Sequence, residues 1–410
     1  MFQKIFYCVG IVLIFTGCQR ASAYLHKAIM PESGFIEKAE RGLYEFREAN
    51  YTAAQKSFQE AIAIYRTVEE KPVVSFSNLT RFHYDGEGYD KVLLHNYNAL
   101  SYLMMADLEN AMVETRNSNR IQNQEYEKYY RQIRKFKTES EKYAAVMDRY
   151  EALFAKVNPK HTPYQNPFAY YISALLFEEA NQYEDAIIDI QKALECDSQS
   201  PLLKSKLRDY RNKKKKTGRR IELFFDIGKS PAKKQIKMPV KSGDDSKKPL
   251  YLPDFTIYTA AVEKIVLVDN RGKKVQEATV LSDIDAIKIN EFRVKIPSLT
   301  EKYIRESGKE LLVNAFSKES AIAGVLAKTA STIYGQNNLY TWRNLPKYIE
   351  VISFIPEKET SYKLLLLDRD GKKLDQMKLS IKCHNCLKNC YHYFRVDNAH
   401  FITSNMKVKK

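Results

Sequence analysis

Along the first half of the chain apolar residues recur three and four positions apart, and from about Tyr251 they recur every second position. The first rhythm puts them on one face of a helix, the second on one face of a strand. Three helical segments share more than a period. "GLYEFREANYTAAQKSFQEAI" begins at Gly42, "ALSYLMMADLENAMVETRNSN" at Ala99 and "ALLFEEANQYEDAIIDIQKAL" at Ala174. Each opens on a small residue (Gly42, Ala99, Ala174) and carries an Ala twelve positions on (Ala54, Ala111, Ala186). The first and third continue with Phe58 and Ile190, then Ala61 and Ala193. Helices approach to about 8–10 Å only where their crossing points lack bulk, so this spacing predicts helix hairpins turning near Ala49-Asn50-Tyr51 and Ala180 to Tyr183. From Gln124 to Val157 the chain keeps helical intervals among alternating charges with no breaker. That predicts a long helix or helical hairpin inserted between the second and third units, packed on them as an extended arm.

"EKIVLVDNRGKKV" from Glu263 and "YIEVISFIPEKETSYKLLLLDRDGKKLDQMKLSIK" from Tyr348 read as short strands broken by Asn-Arg-Gly and Arg-Asp-Gly turns. The stretch from Leu299 to Gly335 is helical in pattern. The predicted fold class is therefore α followed by α+β: a hairpin array with an inserted long helix over 31–203, a basic linker with one strand over 204–250, and an α+β domain with an antiparallel meander over 251–410.

The hairpin spacing resembles the tetratricopeptide repeat, a unit of about 34 residues. The resemblance implies a concave groove lined by the first helix of each hairpin, the usual peptide-binding surface of such arrays. Asn96, Tyr97, Leu100 and Tyr171 fall on or near that side, and a polar-aromatic lining suits capture of an extended peptide. The competing reading is that these residues pack against a neighbouring repeat or the arm.

The first residues, "MFQKIFYCVGIVLIFTGCQR", change the picture of where the domains work. Ile5 to Phe15 is uncharged and mostly apolar, the length of a secretory signal core and short of the roughly 20 residues that span a bilayer. It ends in Phe15-Thr16-Gly17-Cys18, which resembles the lipobox of bacterial lipoproteins. The resemblance implies a signal peptide over 1–17, covalent lipid on Cys18 as the only bound group, and a lipidated tether over 18–30. Three fatty chains hold a protein to a membrane almost permanently, at about 0.8 kcal/mol per buried methylene. Gln19 in place of Asp leans toward the outer membrane of a Gram-negative bacterium, with the body facing the periplasm. Among 410 residues the net charge is +16, and between Pro201 and Leu250 there are 17 Lys and Arg against 5 Asp and Glu, so +12 of it lies in that stretch. A periplasmic protein meets little nucleic acid. The run reads as a solvated hinge or as a contact for anionic lipid or cell-wall polymer.

Near the end, "KCHNCLKNCYHYF" from Lys382 gathers Cys383, Cys386, Cys390 and His392 across an expected hairpin. In an oxidising compartment two of the three cysteines are expected to pair, with the third free or joined to Cys196; zinc or copper on the cluster is the alternative. "DIGKSP" at Asp226 ends like a phosphate loop, but Leu223 stands where a Gly must let the backbone curl around phosphate. No metalloprotease helix or nucleophile elbow is present, and a non-enzymatic role is expected. Taken with "YDKVLLHNYNALSYLMMADLENAMVETR" from Tyr89, "NPFAYYISALLFEEANQYEDAIIDIQKAL" from Asn166, the small-residue helix around Ala321 to Tyr334 and "TWRNLPKYIEVISFIP" from Thr341, the chain resembles an uncharacterised family of bacterial lipoproteins with tetratricopeptide repeats. The family implies an envelope adaptor that holds protein partners in its groove, some members being encoded near activators of penicillin-binding proteins. It carries no catalytic residues across. The second reading is a metal-binding or redox protein using the C-terminal cluster.

Overall fold

The computed structural model describes residues 34–70, 86–139, 148, 150–159, 161–162, 164–212, 219–241, 247–306, 341–357, 361–381, 383 and 387–402. The signal core, Cys18, His384, Cys386 and the small-residue helix around Ala321 lie outside them. The first half is an array of paired helices. Its members are α1 (Gly34–Arg47), α2 (Tyr51–Glu70), α3 (Gly88–Met104), α4 (Leu108–Glu139), α5 (Glu151–Phe154), α6 (Pro167–Glu179), α7 (Tyr183–Cys196) and α8 (Pro201–Arg211).

The three expected hairpins are α1–α2, α3–α4 and α6–α7, and they turn in the same way. Ala49, Ala106 and Asn181 each take a left-handed backbone, with φ of 56°, 61° and 62°. One residue later the Asn50, Asp107 and Gln182 amides donate to the Glu45, Tyr102 and Phe177 carbonyls at 2.9, 2.9 and 2.8 Å. This is the closing bond of a helix C-terminal motif, which satisfies carbonyls the helix itself leaves open. The small residues stand where the hairpin helices cross: Ala54, Ala99, Ala111, Ala174 and Ala186 are fully buried. A Cβ added at Gly42 would lie 2.5 Å from the Phe58 ring. Gly42→Ala is therefore expected to cost about 1–3 kcal/mol of stability through overpacking, read as a lower denaturant midpoint with an unchanged slope.

The expected arm begins earlier than the sequence pattern indicates. α4 is one unbroken helix from Leu108, so the second helix of the middle hairpin and the start of the arm are continuous. α6 opens on Asn166, whose side chain accepts from the Phe168 amide at 3.0 Å, with Pro167 in the first turn. Ser200 and Pro201 start α8 in the same manner.

The second half is a mixed β domain. Its strands are β1 (Ile221–Ile227), β2 (Ala232–Lys241), β3 (Lys247–Thr256), β4 (Lys264–Val268), β5 (Lys274–Glu277), β6 (Thr279–Asp283), β7 (Tyr348–Phe354), β8 (Tyr362–Leu367), β9 (Lys373–Leu379), β10 (Cys390–Asp397) and β11 (His400–Ile402), with helix α9 (Ile284–Glu306) after β6. One sheet runs β11-β10-β1-β7-β6, a second β5-β4-β8-β9, and β2–β3 form a separate hairpin. β1 pairs parallel with β10 and antiparallel with β7. The expected single meander is thus divided: β7 joins the first sheet, while β8 and β9 join β4 in the second. The paired turns after β4 and β8 match the sequence reading. Asp269 and Asp368 each accept two amides of their own loop, and Gly272 and Gly371 follow with positive φ.

The stretch expected as a basic linker supplies the middle strand of the first sheet. Ile221, Leu223, Phe225 and Ile227 face the second sheet and pack with Ile265, Leu267, Leu364 and Leu366. Phe224 faces the helices and joins their core with Ile349, Val351 and Tyr391. β1 is buried on both sides, between a helical layer and a second sheet. Several charges of that stretch are likewise held inside: Lys206 is fully buried, Arg220 pairs with Asp209 at 2.6 Å, and Lys233 reaches Glu87 at 3.2 Å.

Glu350 in β7 lies 5% exposed with the residues that face the inter-sheet core. Burial, with Glu277 and Glu263 adding repulsion, pushes its carboxyl up to about 8. The folded protein keeps this proton in a range where an unfolded Glu, at about 4.3, has lost it. The associated stability is complete below the unfolded value and disappears as pH rises through the folded one. Glu350→Gln should remove this fall, so melts of the variant between about pH 5 and 8 should decline less with pH than those of the wild type.

Candidate functional site

The inner face of the hairpin array is where the sequence places a peptide groove, and all four residues expected there are inaccessible. Asn96, Tyr97, Leu100 and Tyr171 have no exposed surface. The occupant of that face is the chain's own first sheet, above all Glu222 and Asp226 of β1. With Phe224 between them, these two carboxylates point from alternate positions of the strand toward the helices.

Asp226 is held from three directions. The Tyr97 hydroxyl donates to it at 2.9 and 3.0 Å, the Tyr393 hydroxyl of β10 at 2.6 Å and the Arg47 guanidinium of α1 at 2.9 Å. Glu222 accepts from the Tyr171 hydroxyl at 2.7 Å, from Lys206 of α8 at 2.5 Å and from the Ser353 hydroxyl of β7 at 2.8 Å. Burial raises the Tyr97, Tyr171 and Tyr393 hydroxyls well above their ordinary range, so all three stay protonated donors. Burial also brings Lys206 down to about 8, although Glu222 opposes the fall.

Two further clamps close the contact. The Glu40 side chain and carbonyl of α1 accept from the Arg343 amide and the Asn344 side chain at 2.9 and 2.8 Å, just before β7. Glu179 of α6 accepts from the Lys388 and Asn389 amides at 2.7 and 3.0 Å and from the Tyr391 hydroxyl at 2.6 Å. Chemically the inner face is a pair of ion clusters that fix one domain on another.

Sequence reasoning placed Tyr97 and Tyr171 on the correct face and missed what covers it. Glu222 and Asp226 were a legible signal: two acids four positions apart in a strand otherwise apolar must find cations on one side of the sheet. Leu100 is part of the helical core. Asn96 sits in α3, and among the described residues neither side-chain amide atom has a hydrogen-bond partner.

At the C-terminal cluster Cys383 and Cys390 are joined in a disulfide with Cα atoms 5.3 Å apart. His392 stacks on Phe394, with ring centres 6.5 Å apart. Cys196 is a free thiol that burial pushes up to about 12, far from a reactive thiolate. Among the described residues no group of three or more His, Cys, Asp or Glu is arranged to hold a metal. No helix among them is long and apolar enough to cross a membrane.

No family model matches the chain, and no curated protein matches it at a significant level. Among solved structures it is similar to the first TPR of Spaghetti (RPAP3) bound to HSP90 peptide SRMEEVD, with 12% identity, 45% of this chain and 97% of that chain covered, and a TM-score of 0.26.

Proposed function

We propose that this chain is a non-enzymatic adaptor of the bacterial cell envelope, tethered through lipid on Cys18 to the outer membrane and facing the periplasm, whose hairpins are tetratricopeptide repeats that hold another envelope protein. The observation that supports it most is the array of three hairpins with one turn geometry, a scaffold that displays helix faces. Because the inner face is filled by the β domain, the partner meets the outer face of the array. The Cys383–Cys390 bond suits an oxidising compartment, as the segment ending in Cys18 requires. The lysines and arginines of the 201–250 stretch that are not consumed inside the fold would lie against anionic lipid or cell-wall polymer, in keeping with a link to cell-wall synthesis. The metal reading gains nothing from the geometry, since two of its four ligands are spent on each other.

The test is acylation. Labelled palmitate should enter the wild-type chain and fail to enter Cys18→Ser, which should move from the membrane to the soluble fraction. Crosslinking in intact cells should then capture fewer neighbours with the variant. Equal labelling and fractionation of the two would overturn the anchor.

A further inference from the structure

On the outer side of the array, away from the sheet, a cleft of about 490 Å³ opens between α4, α6 and α7. Its α4 wall carries Arg116 and Arg120, α6 contributes Phe177, and its α7 wall carries the exposed Asp185 with Ile188, Asp189 and Lys192, so the cationic side of the cleft is α4. The two walls differ in chemistry. Arg116 and Arg120 are exposed and one turn apart, and Arg116 has no ion-pair partner among the described residues. Ile188 is 48% exposed, a large apolar side chain left in water beside the partly buried Phe177. Asp189 of the α7 wall is only 4% exposed and is answered from within the array, by a hydrogen bond from the Ser173 side chain and by Lys192 at 3.6 Å from its Oδ1.

We infer that this cleft binds an extended, acidic segment of a partner protein, one that alternates acidic and apolar residues. Residues four apart on a helix rise about 6 Å, and side chains on one face of an extended strand recur about every 6.6–6.8 Å. Two carboxylates two positions apart in such a segment therefore match the Arg116 and Arg120 guanidinium groups, each able to bind a carboxylate through two parallel hydrogen bonds. The intervening apolar side chain points the other way, toward Ile188 and Phe177. The inference rests on the adaptor reading and gives its partner a chemistry.

The experiment is fluorescence anisotropy on the full chain in detergent, with two labelled probes, Asp-Leu-Asp-Leu-Asp and Lys-Leu-Lys-Leu-Lys. The acidic probe is expected to bind and the basic probe to bind at least tenfold more weakly. R116E/R120E changes only exposed positions, so its melting curve should match the wild type while its affinity for the acidic probe falls at least tenfold. Ile188→Asp, on the opposite wall, should weaken the same probe. No binding of the acidic probe, equal binding of both, or affinity unaltered in both variants would overturn the inference. So would vesicles of phosphatidylglycerol that bind in an Arg116- and Arg120-dependent way when the peptide does not, since the cleft would then be reading lipid. Failure here would leave the palmitate result on Cys18 untouched.

Discussion

Lys206→Met is expected to lower the free energy of unfolding by about 3–5 kcal/mol, the range for removing one partner of a buried ion pair. The Lys206 ammonium lies 2.5 Å from Glu222 and 3.5 Å from Glu178, and the side chains of all three are at most 1% exposed. Methionine fills similar space but takes from both carboxylates, in a region of low dielectric, the ammonium that contacts them. A loss from packing alone would be small for such a swap. Adding Glu222→Gln to Lys206→Met should restore part of the loss, because the charge that most needed the lysine is then gone, and the difference from additivity measures the coupling. Urea unfolding of the single and double variants would show this. The single variant should also lose a pH dependence. With Lys206 lowered to about 8 in the folded state and an unfolded value near 10.4, the unfolded chain binds more protons between the two. Wild-type stability therefore gains a rising contribution across that window, which Met cannot supply.

Asp226→Ala should be of similar size, again about 3–5 kcal/mol, through the opposite charge. It strands the Arg47 guanidinium, whose side chain is 7% exposed, and takes the acceptor from the Tyr97 and Tyr393 hydroxyls together. Asp226→Asn keeps the shape and one acceptor but not the charge, so it should fall between wild type and Ala. Both should leave far-ultraviolet circular dichroism near wild type in native buffer while the denaturant midpoint drops. If Asp226→Ala unfolded at the wild-type midpoint, the helix-to-sheet contact would not be the clamp described.

The helical hairpins were legible because their determinants are local. A small residue, a turn and an Ala at fixed spacing report one crossing, and the crossings at Gly42, Ala99 and Ala174 stand where the spacing put them. The twin Asp–Gly turns were readable for the same reason. The place of β1 was not. "IELFFDIG" reads as a strand in a basic stretch, and nothing adjacent says that its neighbours are β7 and β10, or that Arg47, Tyr97, Tyr171, Lys206 and Tyr393 come from far along the chain to meet its two acids. The groove failed as an open site through the same blindness. A polar-aromatic face looks alike whether its occupant is a partner's peptide or the chain's own strand. The disulfide was not legible either: the strands before and after the cluster, β9 and β10, do not form the expected hairpin but lie in different sheets, and the Cys383–Cys390 bond closes the connection just before β10.

The parallel pairing of β1 with β10 also sets a timetable. Every strand hydrogen-bonded to β1 lies beyond residue 347, so a ribosome delivers the helices and β1 itself long before the strands that flank β1 and complete the sheet over them. Until then Asp226 and Glu222 can meet Arg47 and Lys206 but not Tyr393 or Ser353, and contacts of such long sequence separation form slowly. A chain cut short before Cys390 would emerge with one edge of β1 unpaired and with Glu179 and Asp226 lacking the Tyr391 and Tyr393 donors, a species that quality-control proteases would meet first.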